Sequence, residues 1–135
     1  MPATQTSICP AVCSQISGIL AEVGASSPVD DRGVLMHGCS VGGRFTFQYT
    51  LAGPNRVWAS VMMAPFDLRL PQPEVWHIPF TFFYGDHDPL FVNARAAIEA
   101  MQGKMDSVKL YLDAGKGHSC DPVLGLEAVR ALLAG

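Results

Sequence analysis

VLMHGCSVGG, residues Val34 to Gly43, is the stretch on which the reading of the whole chain turns. Its first four residues are a short run between turn formers, consistent with a buried strand. The string Gly38-Cys39-Ser40-Val41-Gly42 follows, and from Gly42 to Leu51 the pattern predicts a helix, ended by Ala52-Gly53-Pro54-Asn55. A serine between a strand and a helix sits on a sharp turn that lifts its hydroxyl above the sheet edge, with small neighbours relieving backbone crowding. By itself such a string is a weak signal, because an ordinary glycine-rich loop can carry it. A nucleophilic serine also needs a base and an acid at particular places downstream.

Outward from this stretch the chain alternates strands and helices. On the N-terminal side Val12, Ile16, Ile19, Leu20 and Val23 recur at helical spacing, with Gly24 where the helix should stop; 26–33, SSPVDDRG, is turn chemistry. On the C-terminal side Arg56–Phe66 is continuously apolar, as strands covered on both faces are. Residues Asp67 to His77, with Pro71, Pro73 and the nearby Pro79, form an irregular connection. Then come an aromatic-rich strand ending at Gly85, a helix over Val92–Lys104, a strand and turn over Ser107–Gly117, and a terminal helix from Pro122. This order predicts an α/β fold, a mostly parallel sheet of about four strands with flanking helices, in one domain spanning 1–135.

Composition narrows the function classes. In 135 residues, 49% hydrophobic and only 16% charged, disorder is not expected. A net charge of −3 and no Lys/Arg cluster argue against nucleic acid as a partner. No basic start followed by an apolar core marks a signal peptide, and no apolar run reaches the roughly 20 residues of a membrane span. The expectation is a cytoplasmic protein without a membrane partner. The four cysteines, Cys9, Cys13, Cys39 and Cys120, are too few and too irregular for a disulfide scaffold, so reduced thiols are expected, with Cys39 and Cys120 as small buried residues.

In a parallel sheet the partners of Ser40 must stand at the carboxyl ends of later strands. Asp88 lies just past the third strand and His118 just past the fourth, so acid and base follow the serine in the order Ser40, Asp88, His118. Asp86 competes with Asp88, although it suits a turn residue that accepts backbone N–H bonds. His37, on the strand before the turn, suits a packed, hydrogen-bonded histidine; His77 and His87 have no special placement. Asp86, His87, Asp88, Asp113 and Asp121 are scattered without a metal-ligand string, and Gly38–Gly43 lacks the endings of phosphate and dinucleotide loops. No metal and no cofactor are expected.

The segment HGCSVGGRFTFQYTLAGPNRVWASVMMAPF resembles the nucleophile elbow, following helix and next strand of the α/β-hydrolase superfamily. IPFTFFYGDHDPLF resembles its acid-bearing strand and turn, where Asp88 rather than Asp86 matches the acid, and AGKGHS resembles its histidine loop. The resemblance spans 33–135 and implies a reduced or truncated α/β-hydrolase fold that cleaves esters through an acyl-serine. It implies one oxyanion donor, the Val41 N–H. The second donor normally comes from a loop before the elbow strand, and here only one helix precedes that strand. Tannase-like and feruloyl-esterase-like members place cysteines beside the serine and histidine much as Cys39 and Cys120 stand here, which implies as the alternative to two buried thiols a disulfide tying the two loops together, although Ser119 intervenes after His118.

The expected function is a serine carboxylesterase with little lid, acting on small or accessible esters. The missing early strands leave the elbow strand as an open edge, which predicts a homo-oligomer or a fragment of a longer chain. The rival is a non-catalytic, truncated hydrolase-like module that pairs through that edge.

Overall fold

A computed structural model describes residues 9–28, 30, 32–53 and 55–135. The first eight residues, on which the expectation about a signal peptide partly rests, and Pro54 of the predicted helix stop lie outside the described residues. The elements in chain order are α1 (Cys9–Ser26), β1 (Val34–Cys39), α2 (Val41–Ala52), β2 (Val57–Met63), β3 (Phe80–Gly85), α3 (Pro89–Lys104), β4 (Val108–Asp113) and α4 (Pro122–Ala134). Only a short 3-10 turn, Pro73–Val75, interrupts the proline-rich link between β2 and β3.

Boundaries moved where a stronger local device won. Helix α1 runs through Gly24 to Ser26, because a glycine weakens a helix without obligating its end. Helix α3 begins at Pro89 instead of Val92: the Asp88 side chain accepts the Leu90 N–H at 2.9 Å, and the fixed φ of proline suits the first helical position. Strand β2 stops at Met63, since Ala64 takes a positive φ of 51° that no strand residue adopts.

All three strand pairings are parallel and the order is β1-β2-β3-β4. Each connection steps one strand over in the same direction, and right-handed crossovers then place all the connections on one face. Packing agrees: Phe47 and Leu51 of α2, Val75 and Ile78 of the link, and Ala94, Ile98 and Met101 of α3 join Met62, Phe80, Phe82 and Tyr84 in one apolar cluster. On the opposite face α4 lays Leu124, Ala128, Val129 and Leu132 over Leu35, Val61, Met63 and Phe83. Helix α1 packs beside α2, where Ser17 Oγ and Tyr49 Oη lie 3.0 Å apart.

The two inner strands are buried almost throughout, whereas β1 and β4 are half exposed, so the continuous apolar signal belongs to the centre of the sheet. Polar groups inside are satisfied locally: Thr50 Oγ1 donates to the Thr46 carbonyl and lies 2.6 Å from Ser60 Oγ. Among the described residues strand β1 has a neighbour on one side only. Among the described residues no helix is long and apolar enough to cross a membrane.

Ile98, fully buried between α3 and the sheet, anchors this packing. Ile98→Ala is expected to lower the unfolding free energy by about 2–5 kcal/mol, read from urea denaturation; a loss under about 0.5 kcal/mol, the size of an ordinary surface substitution, would contradict this core.

Candidate active site

Level strand ends build the site. Cys39 of β1 pairs with Met63 of β2, and Gly85 of β3 pairs with Asp113 of β4, so the loops after β1, β3 and β4 leave from one rim. Just past β1, Ser40 has φ 57° and ψ −113°, a left-handed conformation that costs a residue with a Cβ about 1–2 kcal/mol. Its N–H bonds the Met63 carbonyl at 2.8 Å, which fixes the turn to the end of β2. Gly38 is required here: a Cβ on it would lie 2.2 Å from the Gly42 carbonyl oxygen.

Ser40 is also the N-cap of α2, yet its hydroxyl makes no cap bond. Ser40 Oγ lies 2.8 Å from His118 Nε2 instead. The other ring nitrogen, Nδ1, lies 2.8 Å from Asp88 Oδ2. Asp88 is 1% exposed, and its second oxygen, Oδ1, accepts the Leu90 N–H. One buried carboxylate thus starts α3 and receives the imidazole. Inside a low-dielectric site both bonds are stronger than in water.

The acid-bearing and histidine-bearing loops are fastened together by backbone. His87 N–H bonds the Lys116 carbonyl at 2.9 Å, Asp86 N–H bonds the Asp113 carbonyl at 3.1 Å, and Gly115 N–H bonds Asp86 Oδ1 at 2.9 Å. Gly85 lies so close beneath that a Cβ on it would sit 2.2 Å from the carbonyl oxygens of Lys116 and Gly117. Asp86, the competitor in the sequence, thus holds the turn through Gly115, while the imidazole lies against Asp88. His37 is exposed on the edge strand beside Gly125 of α4, where a packed, hydrogen-bonded histidine was expected; among the described residues β1 has no outer neighbour to cover it. His87 is exposed and lies 3.8 Å from Asp86 Oδ1. Val41 opens α2, where the helix leaves its own N–H without an internal partner and the dipole favours negative charge.

The expectation of reduced thiols at Cys39 and Cys120 is overturned: the two form a disulfide, with Cα atoms 6.1 Å apart and a sequence separation of 81. The histidine loop leaves β4 and crosses back over β3 and β2, a span of roughly 14 Å at the usual strand spacing. That crossing brings Cys120 to the end of β1, and its sulfur also lies 3.7 Å from the Met63 carbonyl. The 81-residue separation does not announce this approach; the placement of the two cysteines beside Ser40 and His118 is the signal in the sequence.

Two further groups act on the site without any motif to announce them. Arg44, one turn after Ser40, donates its N–H to the Ser40 carbonyl; its guanidinium pairs with Asp67 at 3.0 Å and lies over the Phe66 ring at 5.4 Å. Tyr84 Oη donates to the Pro65 carbonyl at 2.6 Å; burial, and secondarily the charge of Asp88, push its pKa well above the usual tyrosine range. Among the described residues, no group of His, Cys, Asp and Glu side chains could hold a metal ion.

A bond that closes an 81-residue stretch restricts the unfolded chain strongly. Replacing both Cys39 and Cys120 by alanine is expected to remove about 2–5 kcal/mol of stability, seen as a lower urea midpoint. A native midpoint that does not move on adding dithiothreitol would overturn this.

No protein-family model matches the sequence, and no curated protein matches it either. Solved structures do match by shape. SOBER1 of Arabidopsis thaliana superposes with a TM-score of 0.72 at 20% identity, over 96% of this chain and 64% of its own. Esterase PE8 gives 0.71 at 18% identity, over 96% and 62%. Naproxen esterase (carboxylesterase NP) of Bacillus subtilis gives 0.65 at 13% identity, over 90% and 65%. The chain spans less than two thirds of the length of each of these structures. Shape at this level of identity speaks to architecture alone: the chain shares the fold of these esterases over part of their length.

Proposed function

We propose that the chain is a serine hydrolase that cleaves carboxylic esters with small or accessible acyl groups through an acyl-serine intermediate. The observation that carries this reading is the continuous line of two 2.8 Å contacts from Ser40 Oγ through the His118 ring to the buried Asp88 carboxylate. The esterases among its structural neighbours support the same class of reaction.

In this mechanism His118 Nε2 takes the Ser40 hydroxyl proton as Oγ attacks the acyl carbon. Asp88 accepts the Nδ1–H bond, which keeps Nε2 free to act as base and stabilises the imidazolium that forms. The tetrahedral oxyanion is met by the Val41 N–H at the start of α2. Collapse breaks the ester C–O bond, and the leaving alcohol takes the proton from Nε2. Water then attacks the acyl-serine, giving its proton to Nε2, and the acid departs as Oγ recovers a proton from the imidazolium. Val41 is the one oxyanion donor identified among the described residues, and without a second about 2.7–4 kcal/mol of transition-state stabilisation is forgone. A slow esterase is therefore expected, and a donor from a partner subunit would raise its rate.

A cytoplasmic location, the expectation from the sequence, requires the Cys39–Cys120 bond to form against a reducing thiol pool. The open edge of β1, together with coverage of less than two thirds of the neighbours' length, favours a second reading. In it the chain is a non-catalytic module that pairs through β1 with a second copy or with further chain.

Labelling by a fluorophosphonate probe, run beside sizing chromatography, separates the two. Native protein is expected to label on Ser40 and to hydrolyse p-nitrophenyl acetate, and Ser40→Ala to lose at least about 10³-fold in rate. No labelling together with a stable oligomer would favour the second reading. A further contrast concerns the acids: Asp88→Asn is expected to cut kcat by about 10³–10⁴-fold, whereas Asp86→Asn leaves it within about threefold. Equal losses in both variants would remove Asp88 from its role.

A further inference from the structure

Strand β4 ends the sheet on the side away from β1, and among the described residues no strand pairs with its outer edge. At the two ends of its ladder with β3, the Phe80 N–H bonds the Ser107 carbonyl at 2.9 Å and the Asp86 N–H bonds the Asp113 carbonyl at 3.1 Å. The backbone groups of successive strand residues point to opposite sides, so Ser107, Lys109, Tyr111 and Asp113 turn theirs to β3. Val108, Leu110 and Leu112 are left with N–H and C=O groups pointing outward, a template for another strand.

Side chains along a strand alternate between the two faces of the sheet. Tyr111 stacks on Phe83 with ring centroids 5.0 Å apart, and Phe83 packs in the cluster under α4, so Lys109, Tyr111 and Asp113 share the α4 face. Tyr111 is 47% exposed, and Leu112, on the other face, is 48% exposed. Lys109 is exposed too, and among the described residues neither Lys109 nor Asp113 pairs with an opposite charge. A lone lysine on an edge strand discourages pairing. Asp113, four residues on and on the same face, makes this one selective instead.

Two copies of one strand that meet antiparallel about a two-fold axis present the same surface to each other. With the axis at Tyr111, Lys109 of each copy faces the partner's Asp113, and the two tyrosines face each other. An axis at Lys109 or at Asp113 sets like charges opposite, and an axis at Leu110 or Leu112 leaves both charges unmatched. Opposite charges directly across a strand pair favour it and like charges oppose it. The same register suits the backbone, because Leu110 and the partner's Leu112 then meet with their outward N–H and C=O groups. It also prolongs a row of rings: Phe83 is the register neighbour of Tyr111, and the partner's Tyr111 and the partner's Phe83 continue the line. Strand β1, by contrast, has no Lys, Arg, Asp or Glu to select a register. We infer that β4 is an interface for a second copy of this chain, paired antiparallel about a two-fold axis at Tyr111 into one continuous sheet. This contact differs from pairing through β1 and is independent of whether Ser40 is catalytic.

The test is sedimentation velocity on the native protein, Lys109→Glu and the double variant Lys109→Glu with Asp113→Lys, with urea midpoints as the check on folding. Native protein is expected to sediment as a dimer. Lys109→Glu sets like charges opposite at both pairs and is expected to raise the dimer dissociation constant about tenfold or more; the double variant, which exchanges the charges, returns it to within about threefold of native. Tyr111→Cys brings two thiols together on Cα atoms about 4.5 Å apart and is expected to give a covalent dimer on mild oxidation. Native protein that stays monomeric overturns the interface. So does a dimer whose dissociation constant stays within about twofold in folded Lys109→Glu, the result for pairing through β1, or a folded double variant as weak as Lys109→Glu. Should either charge variant fail to fold, the Tyr111→Cys cross-link decides, and its absence overturns the interface.

Discussion

The turn at Ser40 is the constraint to which the rest of the rim is fitted. Each local choice there is unfavourable: a left-handed serine, a hydroxyl that does not cap its helix, and Gly42 and Gly43 in the first turn. Loss of a cap costs about 0.5–2 kcal/mol, and each glycine about 1 kcal/mol relative to alanine. Helix α2 forms because its buried face, Thr46, Phe47, Thr50 and Leu51, is packed against the sheet. Tertiary burial thus offsets a strained start, and the hydroxyl released from capping faces the imidazole.

Three loops from different strands then have to converge on that hydroxyl. Parallel strands that end level supply the common origin, and hydrogen bonds between the loops after β3 and β4 supply the alignment. His118 has a half-exposed side chain, so its position is set by bonds instead of packing: Ser40 on one nitrogen, Asp88 on the other, and the disulfide two residues on. The sheet that carries them is covered unequally. Connections fill one face, while α4 alone covers the other and leaves Val123, Leu126 and Leu133 largely in solvent. One edge strand, β1, carries the elbow, and the other, β4, carries the histidine loop.

Much of this was legible along the chain. Period and punctuation located all four strands and four helices, because continuous apolar runs and helical spacing report burial directly. The link from Asp67 to Pro79 was legible as irregular from its prolines, each of which removes a backbone donor. Where the reading slipped, a local device outweighed the average pattern. Asp88 followed by Pro89 is an N-cap signal that moves the start of α3 ahead of the apolar periodicity beginning at Val92. His37 was expected to be packed and hydrogen-bonded, yet it stands exposed on the edge strand that the missing early strands had already implied.

The sequence by itself determined the order and kind of the elements and the chemical types available at the strand ends: one serine, two aspartates and one histidine in the right succession. Local patterns carry these, since propensity and burial act over a few residues. Only the tertiary structure set Asp88, and not Asp86, against the His118 ring, joined Cys39 to Cys120, and tied Arg44 and Tyr84 to the loop after β2. Those outcomes depend on which backbone groups face one another across adjacent loops. Such facing is fixed by strand register and loop path, and neither leaves a mark in the spacing of residues along a single chain.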